Sequence, residues 1–279
     1  MTTLASWGTT DGHDGIASLY IASDSRACNV VAGKPIPEVR SDEYTKTFIS
    51  PETPDIFGVY GIVTYAPAIL QKVISQLQTL RESSQSVDYP KNVSEAIAAT
   101  RPPHAGNDDF EIIHGCRMGT GNFGCSRISV QIRGTLVKTN FKPLIINAKK
   151  HFELEWATGG PHIFLVRQQD EETDARGFSR WHWQTIYDTI TTTKDPFSGG
   201  APQLVGLYRE GNGKQIGVFY KNKRYLAGNP MDDTDIIPTV EWRDHLFQRV
   251  SGSTGELLQG AQRHARNLKR AIRDELNEF

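Results

Sequence analysis

The sequence predicts an α+β fold in which two sheets carry helices on their outer faces. Strand-like and helical stretches follow the order strands, helix, strands, helix, strands, then an appendage. The strict strand–helix alternation of a parallel sheet is absent. A chain of 279 residues, 38% hydrophobic and 23% charged, also has the material for one sizeable core.

The elements follow in chain order. Residues 2–7 and 16–22 (IASLYIA) are strand-like, and the Gly- and Asp-rich GTTDGHDG between them reads as a turn, so the pair is a hairpin. Residues 29–43 are irregular and hold two prolines. KTFIS and IFGVYGIV form a second strand pair around PETPD. In PAILQKVISQLQTLRE the apolar residues Ile69, Val73, Leu77 and Leu80 recur at helical spacing, which predicts one helix with a buried face. Residues 83–109 are a polar, Pro-containing insertion with a shorter helix at VSEAIAAT, ended by Pro102. From Phe123 to Trp156, ISVQI, GTLVKT, KPLIIN and HFELEWA predict a run of strands. ATGGPH ends this run, and IFLVRQ comes after it. Residues 178–193 (FSRWHWQTIYDTITTT) read as a helix broken by KDPFSGG. QLVGLYRE, KQIGVFYK and KRYLAG are closing strands, with GNG as a hairpin turn. Beyond them EWRDHLFQRV and GELLQGAQRHARNLKRAIRDELNEF read as helical, with Leu257, Ala261, Ala265, Leu268, Ile272 and Leu276 in one stripe. The expected organisation is a domain over residues 1–237 and a C-terminal helical extension over 238–279.

Charge and cysteine usage narrow the function. A net charge of −1 creates no field favouring nucleic acid or anionic membrane. Arg263, Arg266, Lys269, Arg270 and Arg273 suit a solvated helix face or an oligomer contact. Cys28, Cys116 and Cys125 lack the spacing of a disulfide framework or a zinc site and suit a reducing cytoplasm. There is no basic and apolar leader, and no apolar run of roughly 18 residues to span a bilayer. The expectation is a cytoplasmic protein with no membrane and no nucleic-acid partner. GTGNFG at 119–124 spells G-x-G-x-x-G, but no apolar βα unit surrounds it, so it reads as a loop.

The chemistry starts at MTTLASW. Thr-Thr suits a plain start to an edge strand. It also suits a nucleophile, because removal of Met1 would leave Thr2 with a hydroxyl and an α-amine that can serve as its base. ASDSRA places Asp24 and Arg26 just after the second strand. Lys46 opens a later strand, and Gly61 ends the strand after that. ATGG at 157–160 contains Thr158, and DPFSGG at 195–200 contains Asp195 and Ser198. Each of these alone is also a turn, a solvated strand end, a bulge or a loop.

Taken in order, these features resemble the proteasome-like N-terminal nucleophile hydrolases, over roughly residues 2–228. The resemblance implies a four-layer αββα sandwich of two antiparallel sheets. It implies that Thr2 attacks, that Lys46 stands beside it as a cation, and that Asp24 orients Lys46. The backbone N–H of Gly61 would stabilise the oxyanion. Asp195 and Ser198 would support the amine, with Thr158 standing where the family has a serine. Arg26 is assigned a structural role. Lys34 lies closer to the family's lysine by raw count, but it sits in the Pro-flanked AGKPIPE, whereas Lys46 starts a strand and keeps its distance to Gly61.

The implied activity is cleavage of peptide or amide bonds through an acyl-ester on Thr2, with no cofactor. The implied partners are a peptide or protein substrate, further copies of the chain in a homo-oligomer or ring, and an unfoldase. The enlarged first hairpin, the 83–109 insertion and the C-terminal helices depart from the family's compact members. Two rival readings stand beside the peptidase: a non-catalytic assembly subunit, and a small-molecule amidase of the same superfamily.

Overall fold

Strand pairing begins where the alternation predicts it. In the computed structural model β1 (Leu4–Thr10) pairs antiparallel with β2 (Ile16–Ser23), Leu4 lying opposite Ser23. The structure describes residues 2–10, 15–29, 38–62, 64–85, 87–146, 152–157, 179–192, 195–232, 234–235 and 237–264. Two short strands, β3 (Ala27–Asn29) and β4 (Glu38–Ser41), pair within the stretch expected to be irregular.

The first large sheet has the order β10 (Phe152–Ala157), β1, β2, β11 (Gln203–Tyr208), β12 (Lys214–Tyr220), β13 (Lys223–Leu226) and β14 (Asn229–Pro230). The second has five antiparallel strands in sequence order: β5 (Thr47–Ile49), β6 (Asp55–Gly61), β7 (Gly106–Arg117), β8 (Phe123–Gly134) and β9 (Leu136–Pro143). Helices α1 (Ala66–Ile74), α2 (Leu77–Ser83) and α3 (Tyr89–Ala99) lie between β6 and β7 in the chain, and α4 (Ser179–Thr192) lies between β10 and β11.

Three apolar clusters establish the layering. Ile69, Leu70, Val73 and Val93 of α1 and α3 pack on Phe57, Ile112, Ile128 and Val130 of the second sheet. Leu4, Leu19, Ile21 and Val205 of the first sheet face Ile56, Ile113 and Cys125 of the second. Trp183, Ile186 and Ile190 of α4 pack on Ala5, Trp7, Ala22 and Leu204, on the opposite face of the first sheet. The order is therefore helix, sheet, sheet, helix, the αββα sandwich expected from the resemblance. Alternate residues of β1 face opposite layers, as strand geometry requires: Leu4 looks between the sheets while Ala5 and Trp7 look toward α4.

The structure corrects the sequence reading at several places. The single helix expected from Pro67 to Glu82 is two, broken at Ser75–Gln76. There the Ser75 hydroxyl donates to Lys72 O at 2.7 Å and Gln76 N donates to Val73 O, a tighter turn than the α-helix continues. Strand β7 reaches back to Gly106, into the stretch read as insertion. KPLIIN is no strand of its own, because β9 ends at Pro143. IFLVRQ lies outside the described residues.

EWRDHLFQRV is not helical. It forms β15 (Glu241–Arg243), which pairs parallel with β12, and β16 (Arg249–Val250), which returns antiparallel to it. That parallel pair departs from the fully antiparallel sheet expected. Asp244 closes the turn by accepting from the backbone N–H of Leu246 and Gln248, and Phe247 sits at φ 68°, incompatible with a right-handed helix. Its ring is buried against Trp7, Tyr20 and Trp183. Helical spacing of Trp242, Leu246 and Val250 is overridden by an empty sheet edge and an aromatic socket. No helix holds residues 238–264, and the rest of the appendage lies outside the described residues. Among the described residues no helix is long and apolar enough to cross a membrane.

One buried ion network ties the helices to the second sheet. Asp55 of β6 accepts from Arg81 of α2 at 2.8 Å and from Tyr89 of α3 at 3.0 Å, and meets His114 Nε2 of β7 at 2.8 Å. Burial pushes the Asp55 carboxyl up, but the bond to His114 and the Arg81 charge outweigh it and hold the group below its ordinary range. Donor atoms of Asp55, His114 and Cys116 lie within 4.8 Å of one another, as in a metal site. Arg81 already supplies the cation there.

A group with a depressed folded-state pKa contributes stability above its unfolded pKa and loses it as pH falls through the folded value. Asp55→Ala is expected to cost about 3–5 kcal/mol at pH 7, because it leaves the Arg81 charge without its partner. The deficit relative to wild type should shrink below about pH 4, where the unfolded carboxyl protonates. Urea unfolding of both proteins at pH 7 and pH 3 checks the size and the sign.

Candidate active site

The turn after β2 carries Asp24, wholly buried at the edge between the two sheets. Its carboxylate accepts four N–H donors. Oδ1 takes Lys46 Nζ at 2.8 Å and the backbone N–H of Thr3 at 3.0 Å. Oδ2 takes the backbone N–H of Arg26 and of Gly199, both at 3.1 Å. Burial raises the Asp24 carboxyl above its ordinary range, and the Lys46 charge with these hydrogen bonds offsets only part of that rise. Four donors and no donation from the carboxyl is the geometry of an ionised group beside a buried ammonium.

Lys46 is 0% exposed and immediately precedes β5. Its backbone carbonyl accepts from Val59 N, which sets it beside β6, two residues before Gly61. Gly61 ends β6 opposite Phe110 at φ +101°, where the chain leaves the sheet toward α1. A Cβ there would press on Asp109 O and Phe110 Cα at 3.1 Å, so the position calls for glycine.

Thr2 is 4% exposed and directly precedes Thr3. Thr3 is fixed on all sides: its N–H goes to Asp24, its carbonyl accepts from Asp24 N and the Ser23 hydroxyl, and its hydroxyl meets Ser198 Oγ at 2.7 Å. Ser198 gives its own proton to Asp195 Oδ2 at 3.0 Å, so the chain runs Thr3 to Ser198 to Asp195. The sequence reading gave Ser198 and Asp195 to the nucleophile's amine; here their contact is with the following residue. Thr158 lies outside the described residues.

The DPFSGG turn is built for this place. Asp195 Oδ1 accepts from Phe197 N at 2.9 Å, a local turn of the kind Asp favours. A Cβ on Gly199 would fall 2.5 Å from the Arg26 guanidinium carbon, and one on Gly200 would fall 2.3 Å from Asp42 O. Arg26 pairs with both oxygens of Asp42, at 2.7 and 3.0 Å, so this second ion pair forms the floor under the turn. It supports the structural role assigned to Arg26. Gln203 bonds to the backbones around Asp24 and Lys46, a role with no local sequence signal, since one glutamine at a strand start forms no motif. A cavity of about 410 Å³ adjoins the turn, lined by Arg26, Asp42, Ser198, Gly199, Tyr220 and Lys221.

The arrangement therefore joins Asp24, Lys46, Ser198 and Asp195 in one network around Thr3, with Thr2 one peptide away. Gly61 stands on the neighbouring strand. Gly200→Ala is expected to cost about 2–5 kcal/mol, combining left-handed backbone strain with the clash against Asp42 O. Gly211→Ala has the strain alone, since no neighbour lies within 4 Å of its added Cβ, and should cost about 1–2 kcal/mol. Denaturant midpoints of the two variants make the comparison; equal losses would remove the turn's packing role.

No family model matches the sequence, and no curated protein matches it. Among solved structures the chain is similar to "Anbu (Gly-1) mutant from Hyphomicrobium sp. strain MC1", at 13% sequence identity and a TM-score of 0.48, over 100% of this chain and 96% of that one.

Proposed function

We propose that the chain is an N-terminal threonine hydrolase that cleaves peptide or amide bonds. The observation that carries this reading is the shared Asp24 carboxylate. One oxygen holds both the Lys46 ammonium and the backbone of the residue next to Thr2. That places a buried cation and the start of the chain on one anchor.

In the proposed reaction Met1 is first removed. The free Thr2 amine then takes the proton from Thr2 Oγ, and Oγ attacks the carbonyl carbon of the scissile bond. Lys46 lowers the amine's proton affinity and stabilises the alkoxide by its charge. Negative charge moves to the carbonyl oxygen, where the Gly61 N–H is the proposed donor; a donor so aimed contributes typically about 3–4 kcal/mol. The tetrahedral centre expels the amine product, which leaves with the proton held by the Thr2 amine. Water, deprotonated by the same amine, then hydrolyses the ester and restores Thr2. Asp195 and Ser198 keep Thr3 in place. Thr158 keeps the supporting role proposed for it. The reaction draws on no cofactor. The proposed substrates are peptides or proteins, the proposed assembly is a homo-oligomer, and an unfoldase is the partner a closed ring would need.

Intact mass before and after an epoxyketone probe tests the nucleophile. The expected result is a chain that begins at Thr2 and gains one probe mass, with the gain lost in Thr2→Ala. Lys46→Met, confirmed folded, should slow labelling by about 100-fold or more. A chain that keeps Met1 and ignores the probe would make it a non-catalytic assembly subunit. A free Thr2 that ignores the probe but hydrolyses small amides would make it an amidase.

The labelling rate should also depend on pH in one direction. The base works only when neutral, and an α-amine ordinarily titrates at about 7.7–8.0. The rate should fall as pH drops below that range, and a cation beside the amine should move the midpoint down. A rate independent of pH between 5 and 9 would sink the amine as base.

A further inference from the structure

We propose that Gln203 is a positioning residue for the Asp24–Lys46 pair, and this rests on the reading just given. Its amide reaches both members of the pair from the first residue of β11. Oε1 accepts from Lys46 N at 2.9 Å, from Thr47 N at 3.2 Å and from the Thr47 hydroxyl at 3.2 Å. Nε2 donates to Asp24 O at 3.1 Å and to Tyr44 O at 2.7 Å. The side chain is 1% exposed.

The chemistry of those partners requires a primary amide. Three donors face one end and two carbonyls face the other, so the orientation of the amide is dictated by its surroundings. Glutamate could accept but not donate. Methionine has the right length and neither function. Asparagine is one methylene short. Lys46 immediately precedes the first strand of the second sheet and Asp24 immediately follows β2 of the first, so the planar amide is a rigid spacer between the sheets where the pair forms. Moving the Lys46 backbone by about 1 Å would misplace its ammonium relative to Thr2, an error that costs about 100-fold in a positioned reaction.

The experiment follows epoxyketone labelling of Thr2 by intact mass across pH 5 to 9, with melting temperature, in wild type, Gln203→Glu, Gln203→Met and Thr47→Val. Gln203→Met is expected to slow labelling by about 10- to 100-fold with the pH midpoint unmoved. Gln203→Glu should slow it similarly and raise the midpoint by about one unit, because a new carboxylate beside the Asp24–Lys46 pair offsets the cation that lowers the amine's proton affinity. Thr47→Val removes one donor from Oε1 and should slow labelling about 2- to 5-fold. Folded variants that are labelled at the wild-type rate with the wild-type midpoint overturn the inference alone. A wild-type chain that ignores the probe removes the hydrolase reading and this inference with it. If both Gln203 variants fail to fold, Thr47→Val decides: an unchanged rate overturns the proposal.

Discussion

The site depends on keeping one carboxylate ionised where water cannot reach it. Removing an anion from water costs several kcal/mol unless its oxygens are met by donors of good geometry. Asp24 meets that demand with donors from four separate places: the first residues of the chain, its own turn, the second sheet and the turn before β11. The anion therefore selects one arrangement of all four, and the packing of two sheets becomes a fixed distance between particular atoms.

Around this centre, support is arranged in shells of decreasing burial. Gln203 stands beside the pair and is fully enclosed. Arg26 and Asp42 stand outside the DPFSGG turn and are partly wetted, with side chains 22% and 44% exposed. Screening weakens that outer pair, so its contribution is shape: the guanidinium occupies the space that Gly199 leaves open, and the Asp42 carbonyl occupies the space beside Gly200. Where the second sheet meets α2 and α3, Asp55 repeats the plan with Arg81, Tyr89 and His114 and ties those elements together.

Legibility in the sequence followed the range over which each signal acts. Strands β1, β2, β6, β11 and β12 and helix α4 announce themselves because side-chain alternation or helical spacing repeats within a few residues. Asp24, Lys46, Asp195 and Ser198 were legible as an ordered set of short motifs, and the structure brings them into one network. Thr3 and Gln203 were not, because their roles arise from partners more than a hundred positions away and leave no local pattern. Strand β7 was obscured by the polar GNDD at its start and by His114 at a core position that Asp55 makes tolerable. EWRDHLFQRV carries helical spacing and fails as a helix for a tertiary reason, since β12 offers an unfilled edge.

The closing turn of the site lies far from its beginning along the chain. Thr2 and Thr3 precede Gly199 and Gln203 by some two hundred residues. Loop closure over such a distance comes late in folding. During synthesis, then, the threonines before β1 lack the anchored lysine and the ordered turn. On the reading proposed above, the hydroxyl stays inert until the domain is complete, with timing set by where the contacts lie in the sequence.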